Sequence, residues 1–141
     1  MSATNVSIET KIEEIVENFS FLDTLDQKYE YVIELGKKLP PLADIYKREE
    51  FIIKGCQSTV WLVPNFDNGL IHFHADSDSV FVKGLISLLI AVADGQPPRE
   101  VAKLNTDYIH TIGLGNYLSP TRSNGLVAMV KQMKQYALSG V

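Results

Sequence analysis

The chain has few residues of the kinds that cross-link a fold or hold a metal. Among its 141 residues there is one cysteine, Cys56, one tryptophan, Trp61, and three histidines. A single thiol permits no intrachain disulfide and no cysteine-built zinc or iron–sulfur site within one chain. Basic residues are outnumbered, thirteen against seventeen acidic, for a net charge of −4. That balance argues against a nucleic-acid groove, whose affinity comes largely from neutralising phosphates. The longest apolar run, Val80 to Ala93, contains Lys83 and Gly84 and falls short of the about 20 residues that a membrane helix needs. No basic segment leads an apolar run at the N-terminus, so no signal peptide is read. A reducing, cytoplasmic setting with no membrane association is expected. No G-x-x-x-x-G-K-[ST] loop and no strand-linked G-x-G-x-x-G occurs, so the usual phosphate cradles are missing. Gly113-Leu114-Gly115 lacks the third glycine and reads as a turn.

What remains is an ordinary globular composition, 45% hydrophobic and 21% charged. The length sits at the mode for one domain. A chain of this size buries roughly 68–70% of its unfolded surface, enough for one core. A single domain over 1–141 is expected, with 1–7 as a flexible lead. Acidic residues crowd 8–30, while 117–141 carries only the bases Arg122, Lys131 and Lys134, which fits solvated helix faces at both ends.

Periodicity predicts the order of elements. Ile8, Ile12, Ile15, Val16 and Phe19 form one helical stripe, with Asn5 or Ser7 as its cap. A second helix runs from about Asp26 and stops before Pro40-Pro41. Phe51-Ile52-Ile53 and Thr59 to Val63 are β-branched and aromatic, hence strand-like. Turn formers fill 64–69. Leu70 to Ala75 then alternates, with His72 and His74 on the face opposite Ile71 and Phe73. Asp76, Ser77, Asp78 and Ser79 offer caps for Val80–Ala93, which is apolar nearly all round and should be the most buried helix. Asp94-Gly95 closes it. Short helices are expected after Pro97 and over 107–112. Ser119-Pro120 opens a last helix whose inner stripe is Leu126, Val127, Val130, Met133 and Ala137. Helices, a small antiparallel sheet, then helices describe a compact α+β fold.

Cys56 is the first candidate for chemistry. Free cysteine is commonly a small buried hydrophobe, but this one follows Gly55 and precedes Gln57-Ser58 in a loop between strands, where function concentrates. Adjacent Lys54 favours a thiolate only if its side chain points the same way. A nucleophilic pair with His72, His74 or His110 requires the fold to bring one of them to the thiol. His72 and His74 share a strand face, yet a metal needs a third ligand. Trp61 reads as a core anchor. Arg122 stands in the first turn of a helix, where the dipole disfavours a cation, which points to an anionic partner. Asp76 and Asp78 read first as caps.

Four blocks in order carry a resemblance spanning about residues 10–138. Gly55-Cys56-Gln57-Ser58-Thr59-Val60-Trp61 resembles the cysteine loop of the SufE family of cysteine desulfuration proteins. Asp76-Ser77-Asp78-Ser79 with Val82-Lys83-Gly84-Leu85, Leu118-Ser119-Pro120-Thr121-Arg122-Ser123-Asn124-Gly125-Leu126, and Ile33 to Pro40 agree with it. Thr121 in place of a serine, and His74-Ala75 where a glycine is common, are conservative departures. The resemblance implies an α+β fold shared with iron–sulfur scaffold proteins. It further implies that Cys56 accepts persulfide sulfur from a SufS-type, PLP-dependent cysteine desulfurase. The protein would stimulate that enzyme and pass sulfur to a downstream iron–sulfur scaffold. On the same ground the loop Gly55, Gln57 and Ser58 would enter the partner's active site, with Asp76 and Arg122 near it; on physical grounds Arg122 would stabilise the thiolate or persulfide anion of Cys56. The protein would be no enzyme by itself and would hold no cofactor or metal, the PLP belonging to the desulfurase; a monomer is expected. Three alternatives stand beside this: a partner-independent hydrolase or transferase using Cys56 and a histidine, a cluster scaffold, and an adaptor in which Cys56 merely packs.

Overall fold

A computed structural model describes residues 6–140. The Asn5 alternative for the first cap, and most of the flexible lead expected over 1–7, lie outside the described residues. The chain runs α1 (Ile8–Ser20), α2 (Leu25–Lys38), β1 (Val60–Asp67), β2 (Leu70–Ser77), α3 (Val80–Ala93), α4 (Pro98–Ala102), α5 (Tyr108–Thr111) and α6 (Pro120–Ser139), with short 3-10 turns at Asp44–Tyr46, Glu49–Phe51 and Gly115–Tyr117. The architecture is α+β: one antiparallel hairpin covered by helices.

Local chemistry sets the helix ends. Ser7 caps α1, its Oγ accepting the Thr10 N–H. Helix α2 begins one residue before the expected Asp26, because Thr24 and Gln27 form a reciprocal capping box. It ends at Lys38, and Leu39 turns extended before the two prolines. Ser79 is the cap of α3 and Ser119 that of α6, with Pro120 at the first helical position.

Helix α3 is the centre of the core. Phe81, Leu85, Ile86, Leu88, Leu89, Val92 and Ala93 are all buried. Val60, Leu62, Ile71, Phe73 and Ala75 from the hairpin's inner face, Ile8, Ile15 and Phe19 from α1, and Met129, Val130, Met133 and Ala137 from α6 belong to the same apolar cluster. Helix α2 approaches α3 at two glycines. A Cβ on Gly84 would fall on the Val32 carbonyl, and one on Gly36 on the Val80 carbonyl. The two backbones therefore approach closely, with no side chain on either glycine to hold them apart.

Three expectations are corrected. The turn is not 64–69 but the two residues Asn68-Gly69, both at positive φ (54° and 79°), which is the two-residue hairpin conformation. Pro64 lies inside β1, paired with Phe73. The Phe73 N–H turns to Asp94 Oδ1 at 2.8 Å, so Pro64 stands where no ladder donor is required. Phe51 to Ile53 is no strand: Phe51 closes a 3-10 turn, and only Ile52 bridges to Trp61. The acids Glu49-Glu50 before it and the Lys54-Gly55 turn after it leave too short a run for a ladder. In α6 Val127 is 67% exposed and Met129 takes the inner position, the helical repeat carrying 126, 129, 130, 133 and 137 along one side.

The glycine contact gives a direct test. Gly84→Ala is expected to lower stability by about 1–3 kcal/mol through overpacking against the Val32 backbone, read as a lower urea midpoint with an unchanged slope.

Candidate functional site

The loop 54–59 is clasped by hydrogen bonds at its base, and its tip rests on α6. The Ile53 N–H donates to the Val60 carbonyl at 2.9 Å, and Ile52 bridges to Trp61. Asp78 closes the other side: its Oδ1 accepts the Thr59 N–H at 3.2 Å, and its own N–H donates to the Thr59 carbonyl at 3.3 Å. Gly55 adopts φ +93°, a region that L side chains rarely enter, and the chain reverses there to present Cys56.

The Cys56 thiol is turned inward. It is partly buried and donates to the Gly125 carbonyl of α6, with Sγ to O at 3.5 Å. A Cβ on Gly125 would stand 3.3 Å from Sγ, closer than ordinary contact. The missing side chain of Gly125 is thus the seat of the sulfur. Beneath the loop lies a cavity of about 100 Å³ between α3 and α6, lined by Cys56, Val82, Ile86, Leu126, Met129 and Arg122, among others. Burial pushes the Cys56 thiol above its ordinary value, because a charged sulfur loses hydration there. Arg122 is among the residues lining this cavity, and its Nη1 donates to the Tyr117 carbonyl at 2.8 Å. Gln57 and Ser58 line the same space, Gln57 being exposed.

No histidine lines the cavity. His72 faces Asp94, Nδ1 to Oδ1 3.7 Å. His74 lines a groove on the hairpin's outer face, and His110 is exposed on α5. The Cys–His pair needed by a hydrolase is not assembled among the described residues. Among them, too, no three histidine, cysteine or acidic side chains gather in a metal-binding group.

Asp76 stands apart from the cavity. It is 4% exposed and does not cap α3. Its carboxylate accepts the Leu42 N–H (3.1 Å) and the Ser77 N–H (2.8 Å) and pairs with Lys47 and Lys83, each at 3.4 Å. Burial alone raises its pKa, but the two backbone donors and Lys83 outweigh that and leave it below the ordinary carboxylate value. Asp76 ties the segment after α2 to the end of β2. Lys47 also lies 5.5 Å from the Trp61 ring centroid. Trp61 is only partly buried and its indole N–H has no partner among the described residues; it sits beside this ion cluster and not at the centre of the core.

Gly55, Cys56, Gln57, Ser58 and Arg122 are therefore brought together, and Asp76 is not. Sequence reasoning missed Gly125 and Asp78. The signal for Gly125 was present: a glycine inside a helix costs about 1 kcal/mol relative to alanine, so it marks a close approach.

The family model described as "SufE: Fe-S metabolism associated domain" matches residues 13–137. This chain belongs to the SufE family. An uncharacterized SufE-like protein of Rhizobium etli is 41% identical to it over 131 residues, covering 89% of this chain and 88% of that one. A second, from Rhizobium meliloti, is 35% identical and covers 91% and 95%. The Arabidopsis thaliana "SufE-like protein 1, chloroplastic/mitochondrial" is 40% identical over 91% of this chain, which spans 35% of that longer protein. The solution structure of a hypothetical protein from Thermus thermophilus superposes with a TM-score of 0.76, covering 92% of this chain and 94% of that one. At 20% identity that match speaks for a shared fold alone. Among the described residues no helix is long and apolar enough to cross a membrane.

Two substitutions test this geometry. In this SufE-family chain, Gly125→Ala is expected to push Cys56 outward. Its iodoacetamide alkylation should speed up several-fold at pH 8, and its pH midpoint should fall toward the ordinary thiol value of about 8.5. Asp76→Asn should cost about 1–3 kcal/mol, discounted for the part-exposed lysines. Because the folded carboxyl titrates low, the wild-type advantage is full above about pH 4 and is lost as pH falls through the depressed value. Urea unfolding of both proteins between pH 7 and pH 3 should show the two curves converging.

Proposed function

We propose that this protein is a sulfur acceptor and carrier. It takes persulfide sulfur from a PLP-dependent cysteine desulfurase onto Cys56, stimulates that enzyme and passes the sulfur on for iron–sulfur cluster assembly. The observation that carries the reading is the seat of Cys56: the chain's sole thiol on a base-clasped loop, turned onto Gly125 over an apolar cavity, with Arg122 in its lining.

The chemistry follows from thiol exchange. The Cys56 thiolate attacks the outer sulfur of the desulfurase persulfide. A bond forms between Cys56 Sγ and that sulfur while the donor's S–S bond breaks. The donor cysteine departs as a thiolate, so no external oxidant or reductant is consumed. In the resting protein the thiol is held inward and protonated, which protects it from oxidation. The loop, clasped at its base, swings outward on docking and carries Gly55, Gln57 and Ser58 to the partner. A chain with no second thiol cannot convert the loaded persulfide into an intramolecular disulfide with loss of sulfide. Arg122 steadies the thiolate or persulfide anion, as a guanidinium with free N–H donors does. The workplace is the reducing compartment where such thiols persist.

The reading is tested with a SufS-type desulfurase and cysteine, followed by non-reducing mass spectrometry of the intact chain. Wild type should gain one or more sulfur atoms, removable by reductant, and Cys56→Ser none. Arg122→Ala should slow sulfur uptake about tenfold while binding to the desulfurase is retained. No added sulfur on wild type, with desulfurase turnover still rising, would leave only an adaptor.

A further inference from the structure

Arg122 is long and flexible, and a side chain of that kind does not hold one position unaided. Its guanidinium carbon lies 4.5 Å from the centroid of the Phe81 ring, while Nη1 is tied to the Tyr117 carbonyl at 2.8 Å. Phe81 is 3% exposed, so its ring is fixed by packing. It stacks on Tyr29 of α2, with centroids 5.2 Å apart and planes 16° from parallel. Tyr29 in turn meets Tyr117 at 4.5 Å, and the Tyr117 hydroxyl donates to Asp26 Oδ1 at 3.0 Å. Arg122 from α6, Phe81 from α3, Tyr29 from α2 and Tyr117 from the 3-10 turn thus form one continuous stack. Arg122, at one end of the stack, is also a lining residue of the Cys56 cavity. The next residue after Phe81, Val82, already lines that cavity.

We propose that Phe81, backed by Tyr29 and joined by the Tyr117 carbonyl, is the positioning residue that aims Arg122 at the Cys56 sulfur. A ring face attracts a guanidinium through its quadrupole. Holding the group by its face and one N–H leaves the other donors free for an anion. The inference rests on the reading of Arg122 as the cation that meets the sulfur anion, but it is tested without any desulfurase.

The full chain is alkylated at Cys56 with iodoacetate and, separately, with iodoacetamide, at fixed pH and low salt. The ratio of the two rates cancels thiolate fraction and loop access and reports positive charge at the sulfur. Arg122→Ala should lower this ratio. Phe81→Leu should lower it about two- to fivefold, Phe81→Tyr should keep it near wild type, and Phe81→Leu added to Arg122→Ala should change it no further. Phe81→Met carries the same test should Phe81→Leu not fold. A wild-type ratio in Phe81→Leu or Phe81→Met, with the ratio lowered in Arg122→Ala, overturns the role of Phe81 alone. An unchanged ratio in Arg122→Ala overturns the role of Arg122 as well. Neither outcome touches sulfur acceptance by Cys56, which the mass measurement judges separately.

Discussion

Helix α3 has almost no polar side to give to solvent, and the other elements are arranged around the need to cover it. Its fourteen residues bury apolar side chains in several directions. The hairpin's inner face, α1, α2 and α6 each contribute buried residues to the same cluster. Burial of that surface is the main favourable term in folding. Where Gly84 interrupts the apolar surface of α3, α2 comes in backbone to backbone through Gly36. The seam with α6 holds the cavity beside Cys56, lined by Val82, Leu85 and Ile86 on one side and by Gly125, Leu126 and Met129 on the other.

The cysteine loop is the lid of that seam. Two strand-like contacts and Asp78 hold its base, and the tip rests on α6 with the thiol in the gap at Gly125. A weak S–H bond and a small apolar cavity are modest restraints beside the backbone bonds at the base. The physics of the site is a compromise: burial keeps the sulfur protonated and shielded, while the sulfur transfer proposed for Cys56 needs an exposed thiolate. A loop fixed at its base and lightly held at its tip can meet both demands in turn.

Much of the fold was legible from local rules. Helix α3 coincided with its apolar run, and the caps at Ser7, Ser79 and Ser119 were readable because short hydroxyl side chains satisfy the first free amides. The hairpin turn was misjudged because Pro64 and Asn65 look like turn formers. Whether a proline can sit in a strand depends on which way its neighbour's amide points, and that is a property of the pair. The three-residue run at Phe51 carried strand propensity but had room for only one bridge. Val127 was placed inward by its residue type, whereas helix rotation against α3 put it in solvent.

The order of elements, the α+β class, the reactive candidate Cys56 and the kinship of its loop were determined by the sequence alone, since periodicity, capping and short motifs are local properties. The tertiary structure decided which residues stand together. It left all three histidines out of the Cys56 cavity, buried Asp76 among two lysines and backbone amides, seated the sulfur on Gly125 and stacked Arg122 on Phe81. The last three join positions far apart along the chain, and only the packing around α3 brings them within contact distance.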